Sequence, residues 1–275
     1  MLTSVEVRND QGSVLTLSLL DYNNGFIVEE ITGLDPVKAN IVSSSFASLD
    51  GEQYQSSRRE KRNPIIRLAL EPDYVNTTVQ KLRSTLYKWF MPKARVRLRF
   101  YSTDRPTVGI EGRVESFDSA LFVKDPTATI SILCFDPDFY TPTPVIFQGS
   151  TTPLSVETTH EYLGTVETGF LFKMFPNRNI TAFTINHRPQ DGNTSTLTFQ
   201  SAIPLVAGDE LAISTQPGNK FVRLTHAGVV TSILYAVSPQ SNWINLYQGM
   251  NLLRVYAEGA LIPYSVEYTT KYGGL

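Results

Sequence analysis

Ala94-Arg-Val-Arg-Leu-Arg-Phe100 alternates apolar and basic residues over seven positions. Successive side chains of a β-strand point to opposite faces. Val96, Leu98 and Phe100 are therefore expected in a core, with Arg95, Arg97 and Arg99 on the other side. Lys93 precedes them at the same step of two and extends the expected basic row to four. Val14-Leu-Thr-Leu-Ser-Leu-Leu20, Thr129-Ile-Ser-Ile-Leu-Cys-Phe135 and Thr194-Ser-Thr-Leu-Thr-Phe199 are further runs rich in strand formers. Turn signals punctuate the second half at Gln190-Asp-Gly-Asn193, Ala207-Gly-Asp209, Gln216-Pro-Gly-Asn219 and Gln248-Gly-Met-Asn251. Short strands between such turns predict an antiparallel sandwich or barrel. One helix is expected over about 75–90, where Val75, Val79, Leu82, Leu86 and Trp89 recur at helical spacing. Asn76 is its candidate cap and Pro92 its stop.

The chain has 275 residues, 41% hydrophobic and 18% charged, with a formal net charge of −2. That composition excludes a disordered chain and a global basic field for nucleic acid. The one cysteine, Cys134, excludes an intrachain disulfide scaffold. Neither a signal peptide nor an apolar run of membrane-spanning length is visible, so no membrane insertion is expected. Residues 1–140 carry 17 Lys+Arg and 18 Asp+Glu, against 7 and 8 in 141–275. This shift, with the proline-rich stretch Tyr140-Thr-Pro-Thr-Pro144, predicts two domains, 1–145 and 146–275.

Catalytic chemistry is hard to assemble. His160, His187 and His226 are far apart, and Glu157-Thr-Thr-His-Glu161 lacks the second imidazole of a zinc helix. No metal and no cofactor are expected. Cys134 lies in an apolar run and reads as a buried structural thiol. Asp136 and Asp138 are either a carboxylate pair on one strand face or an ordinary Asp-Pro-Asp turn. The run Arg58-Arg-Glu-Lys-Arg62 reads as a solvated loop or hairpin arm. The row Lys93, Arg95, Arg97 and Arg99 has two readings. One is a solvated sheet face met by local acids such as Glu111 or Glu115. The other, which also takes in Arg58, Arg59, Lys61 and Arg62, is a subunit or lumen contact. Trp243, with Asn242 and Asn245, is a candidate for stacking on a sugar, set against a simple place in the core.

Several segments together resemble the distal tail proteins (Dit) of long-tailed siphovirus bacteriophages. They are Ile31-Thr-Gly-Leu-Asp-Pro36 followed by Leu49-Asp-Gly51, then Ile132-Leu-Cys-Phe-Asp-Pro-Asp-Phe-Tyr140. In the second half they are Gly208-Asp-Glu-Leu-Ala-Ile-Ser-Thr-Gln-Pro-Gly218, Trp243-Ile-Asn-Leu-Tyr-Gln-Gly-Met-Asn251 and the terminal Tyr268–Leu275. Ser214 departs from the aspartate common in the family's turn, which should alter turn capping rather than the fold. The resemblance implies a mainly β protein in two domains. The first is a β-barrel-like ring domain with one helix and a β-hairpin arm over about 36–64, its tip at Leu49, Asp50 and Gly51. The second is a galectin-like β-sandwich. It further implies a non-enzymatic virion protein of the tail tip, made in the bacterial host cytoplasm. Such a protein would form a homo-oligomeric ring, a hexamer or paired rings. It would join the tail tube protein to the hub, carry receptor-binding proteins or side fibres, and let DNA pass its lumen. The alternative expectation is a carbohydrate-binding adhesion module using the sandwich.

Overall fold

The computed structural model describes residues 1–20, 25–47, 50–120, 123–190 and 192–275. The chain divides into two compact units, Met1–Pro142 with Tyr272–Leu275, and Thr143–Lys271. Thus the last four residues belong with the first unit rather than with the sandwich that precedes them.

The first unit contains β1 (Leu2–Asn9), β2 (Val14–Ser18), β3 (Phe26–Thr32), β4 (Ala39–Ser45), β5 (Glu52–Arg59), β6 (Ile65–Leu70), α1 (Val79–Phe90), β7 (Arg95–Ser102), β8 (Val108–Asp118), β9 (Thr127–Leu133) and β10 (Phe139–Tyr140). Seven strands pair in the order β2-β1-β7-β8-β9-β6-β3, all antiparallel, and β10 adds to β8. The outermost strands β2 and β3 approach each other, which curls the sheet toward a barrel. Alternation along β7 buries Val96, Leu98 and Phe100, as its sequence dictates. Val5, Val7, Leu68, Ile110, Ile130 and Ile132 complete the inner face. Gly112 is required there, because a Cβ would come within 2.8 Å of the Cys134 Sγ.

The helix starts later than the sequence predicts. Val75 is 86% exposed and outside it. Asp73 Oδ1 accepts the backbone N–H groups of Val75, Asn76 and Thr77, and Asp73 Oδ2 accepts the Asn76 amide. Asn76 is thereby engaged in a tight loop, and Thr78 takes the cap, its hydroxyl accepting from Lys81 N at 3.3 Å. Leu82, Leu86, Trp89 and Phe90 bury against the sheet, where α1 meets β1 and β6. The residue before Pro92, Met91, is extended and ends the helix.

The second unit contains β11 (Val145–Ser150), β12 (Thr158–Tyr162), β13 (Phe170–Met174), β14 (Ile180–Pro189), β15 (Ser195–Leu205), β16 (Glu210–Ser214), β17 (Phe221–His226), β18 (Val229–Ser232), β19 (Gly249–Tyr256) and β20 (Pro263–Tyr268). They form two antiparallel sheets, ordered β11-β20-β13-β16-β17-β18 and β12-β19-β14-β15. Both sheets send alternate residues into one core, so the unit is a sandwich. Phe172, Phe183 and Phe199 stack through that core with centroids 5.9 and 4.9 Å apart.

Candidate interaction surfaces

In the first unit, β4 and β5 pair only with each other and form a two-stranded arm. The arm is exposed along nearly its whole length, yet it carries Ile41, Val42, Phe46 and Tyr54, all large and at least half exposed. A lone hairpin is marginal in water, and apolar side chains on it want a partner surface. Asp50 and Gly51 lie at its turn, Gly51 at φ 90°, which suits glycine. Leu49, the third expected tip residue, lies outside the described residues.

The root of the arm departs from the expected solvated charge run. Arg58 and Lys61 are exposed, but Arg62 is 1% exposed. Its guanidinium donates to the carbonyls of Gly33 (2.8 Å), Asp35 (2.6 Å) and Pro137 (2.6 Å), and to that of Gly273. The planar group also lies over the Phe139 ring, 4.4 Å from its centroid. Burial pulls the Arg62 pKa down, while the charges of Asp138 and Asp35 oppose that. Beside it, Arg59 holds both carboxylate oxygens of the buried Asp138, Nη2 to Oδ2 at 3.0 Å. Asp136 Oδ1 accepts from Asp138 N at 3.2 Å, a turn closure that gives the Asp-Pro-Asp segment a structural task. Cys134 is buried nearby, and burial pushes its thiol up to about 12, away from thiolate chemistry.

The basic row is shorter than expected. Lys93 is not in the strand: it sits in a turn at φ 76°, so the step of two does not reach it. On β7, Arg95 and Arg97 share one acid, Glu111 of β8, at 2.6 and 3.1 Å. Their hydrogen bonds, Arg95 first, hold the Glu111 carboxyl below its ordinary range. Glu115 instead accepts from Ser131 Oγ at 2.8 Å. Arg99 stands opposite Glu6 of β1 in register, and Glu6 is itself bonded to Arg8 at 2.9 Å. Like charges also face each other across the ladder, Arg8 opposite Arg97 and Arg95 opposite Arg113. The face is thus a lattice of arginines and fewer acids, partly solvent-exposed.

In the second unit, Trp243 is half-buried, packs against the core and has Lys220 Nζ 5.4 Å from its ring centroid. Asn242 is exposed and Asn245 half-exposed. The segment after them is organised by Asn251, which is fully buried. Its Nδ2 donates to the carbonyls of Tyr247 (2.7 Å) and Gly249 (2.9 Å), and its Oδ1 accepts from Tyr247 N (3.0 Å). Since Oδ1 accepts, the His187 Nε2 lying 2.9 Å away must be the protonated nitrogen. The spacing Leu246-Tyr-Gln-Gly249-Met-Asn251 therefore encodes a side chain that closes the turn before its own strand.

Burial pushes His187, and also His160, below the ordinary histidine range. His160 stacks on Phe147 with centroids 3.6 Å apart. Both stay neutral in the folded unit while the unfolded chain takes up protons below about pH 6.5. The second unit should therefore lose stability as pH falls from about 6.5 toward the lower folded pKa values. The slope is at most about 1.4 kcal/mol per pH unit for each proton. Melting the unit between pH 7.5 and 5.5 should show this decline, and His187→Gln should flatten it; an unchanged slope would exclude His187 as a source.

His226 Nδ1 lies 2.7 Å from Asp209 Oδ1, and Asp209 also closes its own turn through Val206 N at 2.9 Å. Ser214 caps weakly, its Oγ 3.4 Å from Gln216 N. Among the described residues no group of three His, Cys, Asp or Glu side chains is placed to hold a metal, and no helix is long and apolar enough to cross a membrane.

No curated protein matches the chain. The crystal structure of SPP1 Dit, described as a paradigm of the hub adsorption apparatus in phages infecting Gram-positive bacteria, aligns over 97% of this chain and 98% of its own. The TM-score is 0.68 and the identity 16%. Two structures of the phage P2 baseplate in its activated conformation, with Ca and with Sr, align over 97% of this chain and 98% of theirs, each at TM-score 0.47 and 8% identity. The sandwich matches a sequence family over residues 163–272. The resemblance read from the sequence is borne out: residues 163–272 match the siphovirus-type tail component, C-terminal domain, and the chain as a whole has the fold of SPP1 Dit.

Proposed function

We propose that the chain is a non-enzymatic structural protein of a phage tail tip. In this reading, copies of its first unit close into a ring, a hexamer, that joins the tail tube to the hub below it. DNA passes through the lumen, and receptor-binding proteins or fibres attach to the sandwich. The observation that carries this reading is the fold shared over nearly the whole chain with SPP1 Dit, together with the family match in the sandwich. The exposed apolar arm suits a grip on the neighbouring copy, since a head-to-tail contact repeated about an axis closes a ring. The arginine face around Arg95, Arg97 and Arg99 suits contact with an acidic surface of an adjoining tail protein or with the lumen.

Light scattering with negative-stain imaging of the purified chain tests the ring, alone and mixed with isolated tail tubes. Rings in either setting are expected; a monomer in both overturns the proposal. The arm test is sharper. Ala39 and Arg59 are opposite in register, hence about 5 Å apart, so a short Gly-Ser link can replace 40–58. This deletion spares Arg59 and Arg62. It should weaken assembly at least tenfold while leaving the melting of both units unchanged. Undiminished assembly would assign the ring contact to another surface.

A further inference from the structure

Between β3 and β4 residues 33–38 lie outside any strand and form the entry to the arm. Three consecutive carbonyls of this entry find partners elsewhere in the first unit. Those of Gly33 and Asp35 accept from Arg62, and that of Leu34 between them accepts from Leu275 N at 3.1 Å. Arg62 also binds the Gly273 carbonyl. One guanidinium thus joins the arm's entry, its exit and the segment 273–275. At the exit, Arg62 pairs its own N–H and carbonyl with Cys134 at 3.0 and 2.9 Å. Glu60 N donates to Lys38 O at 2.9 Å across the base of the arm.

Tyr272–Leu275 are seated closely in the first unit. The Tyr272 and Leu275 side chains pack, with Leu34, against its core. Gly274 lies directly against Pro36: a Cβ there would stand 2.7 Å from Pro36 Cδ and 3.0 Å from Pro36 N. A proline ring and its backbone cannot swing aside as the end of a flexible side chain can. Position 274 therefore admits only glycine while the segment is in its seat.

We propose that Tyr272–Leu275 form a strap that seats the root of the arm, and that a chain joins its neighbours only once the strap has docked. The second clause rests on the arm's part in the ring, given above. A hairpin paired only with itself has no stable direction of its own, so its root must set one. Arg59 with the buried Asp138 holds the exit strand, and the strap holds the entry. The order of synthesis gives the strap its effect. Arg62 precedes Gly273 by 211 residues. In a growing chain the N-terminal part folds first. Until the strap arrives, the Leu34 carbonyl lacks its Leu275 partner and Arg62 lacks one of its four acceptors. The arm's entry is then loose, and the arm does not point one way.

Gly274→Val in the full chain unseats the strap without altering any residue of the arm or Arg62. Spin labels at Gln53→Cys on the arm and Ser84→Cys on α1 read the arm's direction, with the labelled chain diluted in unlabelled chain. Cys134 is buried and stays unlabelled. In Gly274→Val the distribution of distances between the labels should broaden about twofold. Amide exchange over 33–38 should rise by about tenfold or more, while that of β7 and β8 stays unchanged. Assembly, alone or on tail tubes, should fall about fivefold. Tyr272→Ser with Leu275→Ser removes the strap's apolar anchors instead and should reproduce all three effects; Tyr272→Phe should reproduce none. An unchanged distance distribution in both strap variants overturns the proposal. So does an equal loss of protection in β7 and β8, which would make 272–275 ordinary core. If deleting 40–58 weakens assembly and Gly274→Val does not, the strap's control of assembly falls. If neither weakens it, the ring contact assigned to the arm falls instead, and the spin labels alone decide the strap.

Discussion

Arg62→Ala should strongly destabilise the first unit while leaving the sandwich unaffected. The guanidinium satisfies four backbone carbonyls at once, those of Gly33, Asp35, Pro137 and Gly273. Charged hydrogen bonds contribute about 1.5–3 kcal/mol each, and orphaned buried carbonyls add about 1–3 kcal/mol. The substitution also opens a void under the Phe139 ring. Non-additivity reduces the sum, but a loss above about 4 kcal/mol is expected, against a total stability of about 5–15 kcal/mol. Arg62→Lys should rescue little, because one ammonium cannot span a planar set of carbonyls. Peptide-resolved hydrogen exchange is the measurement: protection should fall sharply in β6 and β9 and be unchanged in β13 and β14. A loss below about 1 kcal/mol in the first unit would refute the carbonyl-cage role. Gly33 supports the same cage, since a Cβ there would approach Asn63 O to 2.3 Å at φ 76°.

The second large effect is expected at Asn251. Asn251→Ala removes four hydrogen bonds, leaving the His187 Nε2–H without its partner in a buried site and the Tyr247 N–H and two carbonyls without theirs in a part-buried one. A loss of about 3–5 kcal/mol in the sandwich is expected, with the first unit unaffected. Asn251→Asp distinguishes shape from chemistry. A carboxylate can still accept from Tyr247 and His187, but it turns lone pairs toward the carbonyls of Tyr247 and Gly249. It should therefore cost about as much as alanine. Urea melts read by exchange in β14 and β19 check this, and a near-neutral Asn251→Asp would show that the two carbonyl contacts contribute nothing.

Residue periodicity alone determined a good deal. The alternation in Ala94–Phe100 dictates a half-buried strand, because a pleated chain can send every second side chain inward only. The helical spacing of Val79, Leu82, Leu86 and Trp89 dictates one apolar stripe and thus a surface helix. The mainly β class and the buried Cys134 were legible from local order along the chain, whereas the arm came from the resemblance to distal tail proteins, which rests on segments spread from Ile31 to Leu275. The first two depend on neighbours within a few residues, which the sequence displays directly.

Tertiary structure decided what depends on distant partners. Arg62 reads as one more charge in a basic run, yet its carbonyl partners lie 29, 27, 75 and 211 residues away. Nothing local announces that they converge. Lys93 falls out of the arginine row because a left-handed turn resets the phase of alternation. Thr78 displaces Asn76 as the helix cap because Asp73 has already engaged the Asn76 backbone. The Asn251 side chain meets His187, 64 residues away in sequence, only because β14 and β19 pair. Hydrogen bonds and cavities are made by proximity in space, and only the folded chain supplies that proximity.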